Sequence, residues 1–168
     1  MDIFVINKQI AENIEESLLS QFQYKNFSNK NKQLEHSLAY LMADRIFKNV
    51  YGFDTYEIEF KSGKPYLKNR KKYFSLSHSD DYIAIAFSDF ECGLDIEKIK
   101  ERDFKSISKR MGFLSSSLED FYLNWTKYEA EYKLGKTSNN QYNCLIEGYV
   151  ITACSENFEE KFELYFQN

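Results

Sequence analysis

Phe121-Tyr-Leu-Asn-Trp-Thr-Lys-Tyr-Glu-Ala-Glu-Tyr-Lys-Leu-Gly135 reads as a helix with both ends marked, and the rest of the chain arranges around it. Upstream, Ser116-Ser-Leu-Glu119 fits a capping box, in which a hydroxyl and an acid satisfy the first free amides. Lys133 falls in the last turn and Gly135 follows as a stop. At about 100° per residue, Leu118, Phe121, Tyr122, Trp125 and Tyr132 share one face, with Glu129 in its middle. A carboxylate among aromatic rings loses hydration and needs a compensating partner. Two kinds are open: an ion pair with a core-edge Lys or Arg, Lys133 included, or a bound cation or reacting group.

A chain of 168 residues makes one domain, or two small lobes sharing a core, and 43% hydrophobic residues suffice to fill it. Net charge −4 and a pI near 5.3 argue against a nucleic-acid binder, so an anionic ligand would need local basic residues. Cys92, Cys144 and Cys154 are scattered, with no Cys-x-x-Cys, which suits a reducing compartment and excludes the usual thiolate zinc site. Met1 to Asn7 lacks a basic lead, and no segment is long and apolar enough to span a membrane. A cytoplasmic location is expected.

In order, Ile3 to Ile6 reads as a strand, Ala11–Gln21 as a short helix, and Asn-rich Tyr24–Gln33 as a loop. From Gln33 to Val50 the pattern is helical, with Leu34, Leu38, Leu41, Met42 and Ile46 as an apolar wedge and His36 outside it. Tyr56–Phe60 alternates like a strand, Ser62 to Pro65 forms a turn, and Lys68, Arg70, Lys71 and Lys72 read as a solvated basic turn. Phe74–Ser77, Tyr82–Phe87 and Gly93–Glu97 follow as strands, then Phe104–Met111 as a helix. Beyond a polar break at Asn139 to Gln141, strands are expected at Cys144–Ile146, Tyr149–Cys154 and Phe158–Phe166. Each half runs from helix into antiparallel strands, which predicts an α+β fold of two lobes, residues 1–98 and 99–168.

Leu94 and Ile96 face one side of their strand, so Asp95 and Glu97 project together from the other. Like charges so placed call for a divalent cation or for strong solvation. With Glu129 they supply three oxygen ligands of the kind Mg²⁺ takes, and Lys133 adds a cation for a phosphate. His78, between Ser77 and Ser79, is either a turn residue or a phosphate contact.

Four motifs in order are similar to those of the 4′-phosphopantetheinyl transferase superfamily: Gly63-Lys-Pro65, Phe74-Ser-Leu-Ser-His-Ser79, Gly93-Leu-Asp-Ile-Glu97 and Trp125-Thr-Lys-Tyr-Glu-Ala-Glu-Tyr-Lys133. The set resembles the two-lobed Sfp type, and it covers Gly63 to Lys133. The resemblance implies two similar lobes related by a pseudo-twofold axis, each an antiparallel sheet packed with helices, and hence a monomer. It implies Mg²⁺-dependent transfer of the phosphopantetheine arm of coenzyme A to a serine of an apo acyl or peptidyl carrier protein. Asp95, Glu97 and Glu129 would hold the metal; Glu129 would also be the base, and Lys133 would meet the pyrophosphate. Lys64, Ser77, His78 and His36 would contact the 3′-phosphorylated nucleotide end.

The chain departs from the family pattern at three places. Tyr128 replaces the lysine that usually precedes the helix glutamate, with Lys127 one position early. His36 stands near a family arginine, with Lys30 and Lys32 close by. The stretch after Gly135 is short, which trims the second lobe. Two other readings use the same residues: a Mg²⁺-dependent phosphohydrolase, and a non-catalytic coenzyme A or carrier-protein binder of the same fold.

Overall fold

The computed structural model describes residues 1–11, 14–61, 63–68, 72–158 and 161–167, and the architecture is α+β. Strand β1 (Asp2–Asn7) runs into a 3₁₀ turn at Lys8–Ala11, a short helix α1 (Glu16–Ser20) and the long α2 (Lys30–Asn49). A β-run follows: β2 (Glu57–Lys61), β3 (Lys64–Lys68), β4 (Tyr73–Ser79), β5 (Tyr82–Ser88) and β6 (Cys92–Lys98). Helices α3 (Phe104–Met111) and α4 (Leu118–Leu134) come next, then β7 (Asn140–Ile146), β8 (Tyr149–Ser155) and β9 (Glu163–Gln167).

Two sheets form, ordered β2-β3-β4-β5-β1-β9 and β6-β8-β7. They differ in size, and one pair departs from the all-antiparallel expectation, since β9 lies parallel to β1. The sheets also cross the division expected at residue 98: β6 joins the later strands, and β9 returns to the first sheet.

Alternation along the strands builds four layers. On β5, Ile83, Ile85 and Phe87 face α2 with Phe4, Ile6, Leu41 and Phe47, while Ala84 and Ala86 turn to the second sheet. Those alanines, with Ile3 and Val5, pack on Leu94, Ile96, Ile151 and Ala153. Small side chains at this interface let the two sheets approach closely. On the far side of the second sheet, α4 covers Val150 and Cys154.

Several boundaries differ from expectation for identifiable reasons. Helix α2 starts three residues early because Asn29 caps it, its side chain accepting from the amides of Asn31 and Lys32. Lys64 to Lys68 is a strand rather than turn and basic cluster; Lys68 pairs with Glu57 and Glu59, and Lys72 with Asp89. Ser62, Arg70 and Lys71, also in those expected turns, lie outside the described residues. Asn140 and Gln141 belong to β7, an edge strand whose alternating exposure accommodates polar residues. Of the strand expected from Phe158, the described part is Glu163–Gln167, with residues 159 and 160 outside the description, while the helix expected at Ala11–Gln21 appears as α1, residues 12 and 13 also lying outside it. No helix among the described residues is long and apolar enough to cross a membrane. No disulfide forms between Cys92, Cys144 and Cys154.

Candidate active site

Helix α4 is fixed at both ends. Ser117, one residue later than expected, is the cap: its hydroxyl accepts from Asp120 N, while the Asp120 carboxylate reaches back to Ser116 N at 2.7 Å. Gly135 closes the helix at φ 86°, and its amide bonds Glu131 O.

The buried stripe of α4 is Phe121, Tyr122, Thr126, Ala130 and Leu134, not the expected face of Leu118, Phe121, Tyr122, Trp125 and Tyr132. Tyr132 is 73% exposed, and Glu129 sits half-buried on the flank. Small residues take the centre because strand backbone comes up against the helix there. A Cβ on Gly93 would fall inside the Ala130 carbonyl oxygen and 2.8 Å from Leu134 N. Glycine is the one residue that permits this approach. Beside it, Thr126 and Thr152 share a buried hydroxyl–hydroxyl bond of 2.7 Å, which fixes α4 against β8.

The contact between α4 and β6 brings the expected carboxylates together. Asp95 is 5% exposed, opposite Thr152 on the helix-facing side of the second sheet. Its Oδ1 accepts 2.8 Å bonds from Ser77 Oγ and Lys133 Nζ; its Oδ2 is buried and has no hydrogen-bond partner. Lys133 Nζ also donates to Ser77 Oγ and to the Leu94 carbonyl. Glu97 accepts from Ser79 Oγ and bonds Trp125. Burial and then the Asp95 charge hold both Glu97 and Glu129 above the usual carboxylate range.

The anticipated pairing of Glu129 with Lys133 does not form. Lys133 turns to Asp95, and Glu129 makes no ion pair among the described residues. Among the described residues no three or more His, Cys, Asp or Glu side chains converge there as a ready-made metal cage. One ammonium serves Asp95 in a patch of three carboxylates.

Three serines on β4 supply the frame, a pattern legible as Ser-x-Ser-x-Ser but not read that way from sequence. Ser75 Oγ accepts from Leu94 N, Ser77 Oγ donates to Asp95, and Ser79 Oγ accepts from Lys98 N. Strand β6 is the open edge of its sheet, and the Ser75 and Ser79 hydroxyls satisfy two of its free amides in place of another strand.

On the other side of Lys133 opens a cleft of about 1040 Å³ between α2, β3, β4 and the end of α4. Lys64, His36, His78 and Lys133 line it, and Lys25 and Lys61 add charge that sequence reading missed. Ser77 lies just beneath, buried and bonded to Lys133. Within this basic wall the groups differ. The Lys64 ammonium donates to the Leu134 carbonyl and so caps α4 at its negative end. His36 lies between the rings of Phe27 and Tyr40, at centroid distances of 5.1 and 4.9 Å, with Nε2 buried and unbonded. His78 Nδ1 stands 3.6 Å from Glu35, which Lys8 also holds. Desolvation holds both imidazoles below the ordinary histidine value of 6.5, so they are neutral at pH 7.

Tyr128, where a lysine was expected beside Glu129, packs with Phe113 and Trp125 and offers no charge. No protein-family model and no curated protein sequence matches the chain.

Proposed function

We propose that the chain is a 4′-phosphopantetheinyl transferase of the two-lobed type, acting on coenzyme A and an apo acyl or peptidyl carrier protein with Mg²⁺. One observation carries the reading. His36, Lys64 and His78, expected at the nucleotide end, and Lys133, expected at the pyrophosphate, line a single basic cleft with Ser77 buried beneath it, and Lys133 joins that cleft to Asp95. The α+β architecture, two facing sheets with helices on their outer sides, is compatible with the reading.

The residues also fit a divalent cation. Asp95 Oδ2 is a buried acceptor lacking a donor, and burial, then the Asp95 charge, makes ionisation of Glu97 and Glu129 costly. Asp95, Glu97 and Glu129 would hold the ion, which when bound neutralises charge on the leaving bisphosphate. The cleft cations Lys25, Lys61 and Lys64 attract the phosphates of coenzyme A, and Tyr40 and Phe74 on the wall give its apolar parts a surface. Glu129 has a carboxylate oriented by no ion pair and a raised proton affinity, the property required of a base for a serine hydroxyl.

Intact-protein mass spectrometry of an apo carrier protein incubated with the chain, coenzyme A and Mg²⁺, beside an EDTA control, tests the proposal. A metal-dependent gain of one phosphopantetheine arm is expected. Coenzyme A binding without transfer to several carriers would support the non-catalytic reading, which the uncharged Tyr128 flank favours.

A further inference from the structure

Lys133 has two roles that exclude each other. As a wall of the cleft it is placed to meet an anionic ligand, yet its ammonium is held by Asp95 Oδ1, Ser77 Oγ and the Leu94 carbonyl, at 2.8, 3.0 and 2.9 Å. Three good acceptors fill the three donors of an ammonium. Nothing is left for a phosphate.

The same three contacts describe a cation seat: one carboxylate, one hydroxyl and one carbonyl, all oxygen. Asp95 is nine-tenths buried or more, and its second oxygen has no partner. Glu97 projects from the same face of β6, and Glu129 lies on the covering helix one turn before Lys133. Among the described residues one ammonium is bonded within this group of three carboxylates, and Arg102 adds a positive charge felt by Glu97. A divalent ion satisfies such a patch better than an ammonium, since it carries twice the charge and coordinates more oxygens.

We propose that Lys133 is an exchangeable occupant of this seat: a divalent cation displaces its ammonium from Asp95, and the freed side chain turns into the cleft to bind the ligand's phosphates. Metal and anionic ligand then bind cooperatively, because each favours the position of Lys133 that the other needs. Side-chain rotation alone accomplishes the exchange, since Lys133 lies in the last turn of α4 and is 30% exposed. The inference rests on the metal reading above, and its test separates the two.

The first test is on the wild-type protein without coenzyme A. Reductive methylation followed by peptide mass spectrometry reads the reactivity of the Lys133 amine, with Lys68 as internal reference. Addition of MgCl₂ is expected to speed Lys133 labelling several-fold and leave Lys68 unchanged. Unchanged or slower labelling overturns the exchange. Calorimetric titration with MgCl₂ then compares wild type, Lys133→Gln and Asp95→Asn. Removing a competing ammonium a few ångströms away should tighten Mg²⁺ binding about tenfold or more in Lys133→Gln, and Asp95→Asn should bind none. Equal or weaker binding by Lys133→Gln overturns the exchange while leaving the metal seat in place. Mg²⁺ binding by neither wild type nor Lys133→Gln overturns both.

Discussion

Gly93→Ala is the sharpest perturbation of the arrangement, because it adds one methyl group and touches no functional side chain. The new Cβ would lie 2.8 Å from Leu134 N and 2.9 Å from Ala130 C, closer still to the Ala130 oxygen, and all three are backbone atoms. No rotamer change relieves such a clash. Ordinary contact begins near 3.4 Å, so α4 must retreat by roughly 0.6 Å to clear Leu134 N and further to clear the oxygen. Overpacking of this kind costs about 1–3 kcal/mol. For a chain of this size that lowers Tm by roughly 2–12 °C. Glu129 and Lys133 flank the two clashing residues, so they move with the helix while Asp95 stays with β6. A displacement near 1 Å at a reacting centre costs on the order of 100-fold in rate. Carrier-protein modification should therefore collapse at a temperature where circular dichroism still finds the variant folded. A Gly93→Ala protein with wild-type Tm and transfer rate would refute the seating of α4 on β6.

Three further outcomes are expected. Asp95→Ala should abolish transfer and any thermal stabilisation by MgCl₂ while the chain stays folded; undiminished transfer removes the metal assignment. Glu129→Gln should gain on wild type in metal-free stability as pH rises. The folded-state pKa of Glu129 is raised, so its contribution is full below about 4.5 and is lost as pH climbs through the raised value. Urea unfolding in EDTA from pH 4 to 7 reads this, and a gap moving the other way would mean that a salt bridge governs Glu129. His78→Ala should weaken coenzyme A far more than dephospho-coenzyme A. In the wild type, coenzyme A should also bind tighter as pH falls below 6.5, because the 3′-phosphate favours an imidazolium that desolvation otherwise resists. Equal weakening of both ligands, or a flat pH profile for coenzyme A, removes the phosphate contact.

The sequence was most legible where alternation and end signals act locally. The split of β5 into Ile/Phe and Ala faces, the shared side of Asp95 and Glu97, and the Gly135 stop all depend on neighbours a few residues away. It was least legible where partners are distant. Weighting large aromatics put Tyr132 inside α4 and overlooked Thr126 and Ala130, because the reason for small residues there is Gly93, on another element. The Asn29 cap was hidden inside a run of similar polar residues, where any could have capped. The parallel return of β9 to β1 joins opposite ends of the chain, and no local pattern announces such a pairing. Glu129 shows both limits: its need for compensation was readable, but Lys133 had two carboxylates within reach and took the other one.

That choice bears on whether the carboxylate patch is structural. An ion-pair network that serves only stability balances its charges, since leaving a half-buried carboxylate unpaired raises the energy of the fold. Here the one bonded ammonium is taken by Asp95, Arg102 acts on Glu97 without bonding it among the described residues, and burial with repulsion from Asp95 still raises Glu97 and Glu129. The surplus is negative and sits beside a cleft whose walls are positive. Replacing Glu129 by glutamine would remove part of that strain at no loss of packing volume, so folding alone does not account for a carboxylate there. A cation at the carboxylates and phosphates in the cleft would discharge both imbalances together, one ligand neutralising the other across Lys133.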